Sequence, residues 1–133
     1  MLKTVIDTNV IISAALSEKG NPSKILNLVL NKSIHLFYSE QIMNEYIEVL
    51  SRPRFNFNLE KQKYFIDGIK KVGILIFPSA SNILLPDEND RIFYDLAKES
   101  QAILITGNIK HFPNEDFILT PTQFIEFIEN KII

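Results

Sequence analysis

The sequence predicts an α/β protein: a three-layer α/β/α sandwich built on a mostly parallel, five-stranded sheet. Three observations predict it. Short runs rich in β-branched and apolar residues alternate along the chain with longer stretches of helical periodicity. Several short runs, such as Val5-Ile6, Ile74-Leu75-Ile76-Phe77 and Ala102-Ile103-Leu104-Ile105, are continuously apolar, which suits strands covered on both faces. The first and fourth runs stop abruptly at Asp7-Thr8-Asn9 and Thr106-Gly107-Asn108. Open α/β sheets bind ligands at such carboxyl ends of their strands.

The elements follow in order. The first strand ends at Ile6, and residues 10–16 continue as a short helix. After a loop at 17–20, Asn21 and Pro22 mark a helix start, a cap followed by a proline in the first turn. Ile25, Leu26 and Val29 give that helix an apolar face as far as residue 31. Residues 34–38 are the second strand. Ser39 caps the next helix, which Pro53 stops because the residue before a proline avoids helical geometry. Its stripe is Ile42, Met43, Tyr46, Ile47 and Leu50. A connector at 52–58 leads to a helix over 59–72, with Phe65, Ile66 and Ile69 inward. The third strand is 74–77, and 78–86 is a loop. The acidic entry Asp87-Glu88-Asn89-Asp90 opens a helix over 90–100. The fourth strand is 102–105, a helical turn covers 109–112, and the fifth strand is 117–119. Thr120-Pro121-Thr122-Gln123 reads as a capping box with proline at the first helical position, and a helix runs on to Lys131.

Composition narrows the chemistry. The 133 residues read as a single domain, 1–133, long enough to bury roughly two-thirds of the unfolded surface. Hydrophobic residues at 46% and charged residues at 23% argue against disorder. There is no cysteine, which removes disulfides and thiolate metal sites. With two histidines only, His35 and His111, a bound metal would need oxygen ligands. No apolar run reaches the roughly 18 residues of a membrane span, and the first strand leaves no room for a signal peptide. The expectation is a cytoplasmic protein with no membrane association. A formal net charge of −2 gives no general attraction for polyanions, so nucleic acid would need a local basic patch.

The acids carry the functional signal. Asp7 ends the first strand, and Asn108 follows the fourth. Asp87 and Asp90 stand at a helix start, which lies near the same edge when the helix returns along a parallel sheet. Glu45 flanks the apolar stripe of its helix beside Val49, whereas Glu48 falls on the polar side. Each has a plainer reading: Asp7 or Asp87 as a helix cap, Glu45 as a solvated flank, Asn108 as a turn residue, His35 and His111 as surface or packing residues. Carboxylates brought together repel one another unless a cation offsets them. Hard oxygen donors suit Mg²⁺ or Mn²⁺, which lowers the pKa of a bound water and stabilises charge on a phosphoryl oxygen. The reading that follows is metal-assisted phosphodiester hydrolysis, with Asp7, Glu45 and Asp90 holding metal. Arg52, Arg54, Lys61 and Lys63 gather around one connector, as a solvated face or as phosphate contacts.

The motifs also resemble a known family. Val5-Ile6-Asp7-Thr8-Asn9-Val10 looks like the opening motif of PIN-domain ribonucleases, and Glu45 matches their helical glutamate after the second strand. Asp87-Glu88-Asn89-Asp90-Arg91-Ile92-Phe93, then Leu96-Ala97, looks like their second acidic motif. Ile105-Thr106-Gly107-Asn108 with Lys110-His111-Phe112 resembles the strand-four motif, where Asn108 stands in a place often held by aspartate. Thr120-Pro121-Thr122-Gln123-Phe124 resembles the closing helix of the branch containing toxins of toxin–antitoxin pairs. The resemblance implies strand order 3-2-1-4-5 and an Mg²⁺- or Mn²⁺-dependent endoribonuclease acting on single-stranded RNA. Asp7, Glu45 and Asp90 are then catalytic; Asp87 and Asn108 join them at the metal; Thr8, Asn9 and Thr106 shape the site. Arg52, Arg54, Arg91 and Lys110 are candidate nucleic-acid contacts. A small antitoxin protein and a homodimer are the implied partners. A catalytically weak PIN-like module that binds RNA or protein is the alternative. A phosphatase resembling haloacid dehalogenases would carry a second acid two residues after Asp7, where this chain has Asn9.

Overall fold

The computed structural model describes residues 1–79, 85 and 87–131. Its centre is strand β1 (Lys3–Ile6), which pairs in parallel with β2 (His35–Tyr38) on one side and β4 (Ile103–Ile105) on the other. The outer strands β3 (Ile74–Leu75) and β5 (Ile118–Leu119) are parallel too, giving the order β3-β2-β1-β4-β5. Thr4, Val5 and Ile6 are all buried. Successive strand side chains point to opposite faces, so both faces of the sheet are covered. Thr4 pays no penalty for its burial, because its hydroxyl donates to the His35 carbonyl at 2.7 Å.

Six α-helices supply the covering layers among the described residues: α1 (Thr8–Leu16), α2 (Asn21–Leu30), α3 (Glu40–Leu50), α4 (Leu59–Val72), α5 (Arg91–Ser100) and α6 (Pro121–Lys131). One cluster joins them to the sheet through Ile11, Ile25, Ile42, Ile69, Phe93 and Phe124. Helix α3 starts where the sequence indicates: the Ser39 hydroxyl accepts from the Ile42 amide at 3.2 Å. Ser39→Ala should therefore cost about 1 kcal/mol, read as a lower urea midpoint with unchanged slope. The box opening α6 is reciprocal, with Gln123 N–H to Thr120 Oγ1 at 3.1 Å and Thr120 N–H to Gln123 Oε1 at 2.9 Å.

Several boundaries differ from the sequence reading, each for a physical reason. Helix α1 begins at Thr8 rather than at residue 10, because the polar strand-end residues are drawn into its first turn. At α2 the cap position is Gly20, and the Asn21 amide donates instead to Thr122 Oγ1 at 3.0 Å. On α3, Ile47 is 41% exposed and Val49, at 9%, takes its place in the buried stripe. Ile66 of α4 is only partly buried. Strand β3 has two residues rather than four: as an edge strand its length is set by one neighbour, and its last bond runs from Ile76 N–H to the Tyr38 carbonyl at 2.8 Å. The connector holds an unforeseen 3₁₀ turn, Pro53–Phe55. Another, Glu88–Asp90, precedes α5, which starts at Arg91. Of the loop read at 78–86, residues 80–84 and 86 lie outside the described residues. Among the described residues, no helix is long and apolar enough to cross a membrane.

Candidate active site

Asp7 follows the last residue of β1, and its N–H extends the ladder to the Ile105 carbonyl at 2.9 Å. It occupies the cap position of α1 without making a side-chain cap bond. Its carboxylate turns to the neighbouring strand end instead. Oδ2 accepts from the Thr106 hydroxyl at 2.8 Å and from Asn9 Nδ2 at 3.2 Å. Thr106 Oγ1 in turn accepts from the Asn108 amide at 2.9 Å, and Asn9 Oδ1 accepts from the Gly107 amide at 3.0 Å. Asn9 and Thr106 thus stitch the ends of β1 and β4 around one carboxylate.

Helix α3 closes a second side. Glu45 Oε2 accepts from the Thr8 hydroxyl. The next residue, Tyr46, is fully buried, and its hydroxyl donates to the Ile6 carbonyl. Two adjacent residues of α3 therefore grip the two residues flanking Asp7. The turn before α5 closes a third side and separates its two aspartates. Asp87 does act as a cap, accepting from the Asn89 amide at 2.9 Å. Asp90 makes no side-chain cap bond. Its buried Oδ2 has no hydrogen-bond partner among the described residues; His111 Nδ1 stands 3.6 Å away, beyond hydrogen-bond range.

Asp7, Glu45, Asp87, Asp90 and Asn108 line one cavity of about 430 Å³, together with Thr8, Asn9 and His111. Arg52, Arg54 and Phe55 also line it. Thr106 lies beneath it, reaching the cavity through Asp7. Arg52 is held by Glu48 at 2.8 and 3.1 Å. Arg91 turns to Glu88 at 2.6 Å and toward Asp95 at 3.8 Å, and neither it nor Lys110 lines the cavity. His111, read from the sequence as a surface or packing residue, also lines the cavity. It stands one 3₁₀ turn past Asn108, tied by its N–H to the Asn108 carbonyl at 2.9 Å. A larger cavity, about 520 Å³, opens between α1, α2 and α4. Its wall carries one carboxylate, Glu18, so the acidic chemistry is not there.

The acids share one electrostatic field. Burial pushes the Asp7 carboxyl from 3.8 up to about 6; the Thr106 hydrogen bond pulls it down, and the Asp90 and Glu45 charges push it further up. Burial raises Glu45 too, against its bond from Thr8, and Asp90 adds repulsion. Asp90 is raised by burial and then by Asp87, with His111 working the other way. Such a set is short of positive charge. As they stand, no three His, Asp or Glu side chains among the described residues are grouped closely enough to hold a metal ion. The donors nonetheless fit a hard, partly hydrated divalent cation: all are oxygens, they repel one another, and Asp90 Oδ2 is unsatisfied.

Comparison with known proteins agrees with this fold. Residues 3–110 match the family model described as PIN domain. The uncharacterized protein MJ1680 of Methanocaldococcus jannaschii is 34% identical over 146 aligned positions, covering 98% of this chain and 94% of that protein. Among solved structures, VapBC2 from Rickettsia felis, crystallised bound to a DNA fragment from its promoter, superposes with a TM-score of 0.59. That match covers 90% of this chain and 97% of the other at 18% identity, a likeness of fold.

Proposed function

The chain belongs to the PIN-domain family, and from that membership and its cavity we propose a divalent-metal-dependent endoribonuclease that cuts single-stranded RNA. PIN domains are generally nucleases. The observation that carries the reading is the acidic cavity at the carboxyl end of the parallel sheet, with a buried carboxylate oxygen that has no hydrogen-bond partner among the described residues. Asp7, Glu45 and Asp90 would hold Mg²⁺ or Mn²⁺, with Asp87 and Asn108 in outer positions. The bound ion would activate water and neutralise charge on the phosphodiester. Mg²⁺ keeps several waters and takes few carboxylates directly, in keeping with the spread of these side chains. Thr106 and Asn9 hold the Asp7 carboxylate in place, and Thr8 orients Glu45.

The likeness to VapBC2 and the closing-helix motif support a further part of the reading, a toxin held by a small antitoxin protein; a cytoplasmic homodimer is proposed by analogy with such toxins. A non-catalytic module is the second reading; Asn108 in an aspartate position and the ungrouped carboxylates favour it. One experiment separates them. Purified protein is mixed with a labelled single-stranded RNA in Mg²⁺, Mn²⁺ or EDTA. Cleavage with either metal, absent in EDTA, is expected, and Glu45→Gln and Asp90→Asn should each lower it by about 100-fold. RNA bound without cleavage under every metal would replace the nuclease reading with the second. Expression should also arrest growth, and a small neighbouring gene product should relieve it.

A further inference from the structure

The connector after α3, Arg52-Pro53-Arg54-Phe55-Asn56-Phe57, contributes no carboxylate, yet Arg52, Arg54 and Phe55 wall the acidic cavity. Its 3₁₀ turn ends at Asn56 with φ 54°, a left-handed conformation that asparagine tolerates. Across that residue the rings of Phe55 and Phe57 stack, with centroids 5.7 Å apart and planes 11° from parallel. The Arg54 guanidinium lies 4.8 Å from the Phe55 centroid, and the Lys61 ammonium lies 5.2 Å from that of Phe57. Two cations and two rings form one interaction chain, whose Arg54 and Phe55 end lines the acidic cavity while Lys61 lines the larger one. Arg54 has no carboxylate partner among the described residues, whereas Arg52 is occupied by Glu48.

A polyanion entering an acidic cavity meets repulsion. Beside a bound cation, Arg54 on the cavity wall offsets part of it. We propose that this connector is a base-stacking seat for single-stranded RNA: a nucleobase displaces the Arg54 guanidinium from the Phe55 ring and stacks there, with Phe57 against the same ring, and Arg54 swings to the adjoining phosphate. Every base has a π-face, so the seat selects unpaired strands rather than a sequence. A duplex keeps its bases stacked on each other and cannot offer one. The inference rests on the nuclease reading for the identity of the strand, but its test does not require turnover.

The test measures anisotropy of labelled oligouridylate, and of an abasic strand of equal length, on the full chain in EDTA. Phe55→Leu keeps apolar volume without a π-face. It should weaken oligouridylate binding about 5- to 100-fold and leave the abasic strand unchanged. Phe55→Tyr should bind like the wild type. Arg54→Ala should weaken both strands and reduce the slope of log K against log salt by about 0.7. Should Phe55→Leu fail to fold, the wild type alone carries the comparison: the seat requires oligouridylate to bind about 5- to 100-fold more tightly than the abasic strand, and equal affinities overturn it. Wild-type affinity in the leucine variant overturns the seat, whatever the cleavage activity. Equal losses on both strands overturn it as well, since they signal a displaced connector. A wild type that cuts nothing yet shows the Phe55 pattern keeps the seat and removes the nuclease reading.

Discussion

Asp7→Asn is expected to abolish metal-dependent RNA cleavage and, at the same time, to raise the melting temperature of the metal-free protein. The two effects share a cause. The Asp7 carboxyl is raised from 3.8 to about 6, chiefly by burial. In that interval the folded chain binds more protons than the unfolded one, so stability falls as pH rises. The contribution of this group is complete below about pH 4 and gone above about pH 6. A rise of about two units corresponds to about 3 kcal/mol. Asparagine carries no charge and retains an oxygen for the Thr106 hydroxyl, so the variant should gain roughly 1–3 kcal/mol at neutral pH. Melting curves in EDTA from pH 4 to pH 7.5 check this: the wild type should slope downward and the variant should be flatter. Mg²⁺ should stabilise the wild type at neutral pH and leave Asp7→Asn unmoved. A variant less stable than the wild type at pH 7.5 would mean that the carboxylate holds the fold rather than burdening it.

Tyr46 is expected to give the largest loss of stability. Its ring is fully buried and its hydroxyl donates to the Ile6 carbonyl, one residue before Asp7. Tyr46→Phe removes only the donor and leaves a buried carbonyl without it, at a cost of about 1–3 kcal/mol. Tyr46→Ala also empties the ring's volume, at about 3–5 kcal/mol. That is a large share of a domain's total stability. Because Ile6 carries Asp7, the phenylalanine variant should also lose about 10-fold in kcat/KM while still folded. Circular dichroism melts and cleavage rates on the same preparations separate the two losses. Unchanged cleavage by Tyr46→Phe would make this hydroxyl a structural device only.

Much of this architecture was legible in the chain, for reasons that particular residues make clear. Continuous apolar runs gave the buried parallel strands, and local chemistry placed Ser39 and the Thr120–Gln123 box. Decisions taken at a distance were not legible. Whether Ile47 or Val49 enters the core depends on the helices around α3, and the length of β3 depends on β2. The cap reading given to Asp87 and not to Asp90 is what the 3₁₀ turn shows, although the unpartnered Asp90 Oδ2 could not be read from sequence. The five predicted polar groups do share a cavity, but they do not form a ready-made metal cluster. His111 reads from the sequence as a surface or packing residue and Phe55 does not stand out, because each reaches the cavity through a short irregular turn, which carries no periodic pattern.

The clasp between Thr106 and Asp7 joins residues 99 positions apart in sequence. A nascent or clipped polypeptide that stops before β4 carries Asp7, Glu45 and Asp90 but lacks the partner strand whose end holds the first of them. The polar cluster around Asp7 is therefore complete only in a polypeptide that extends through the fourth strand.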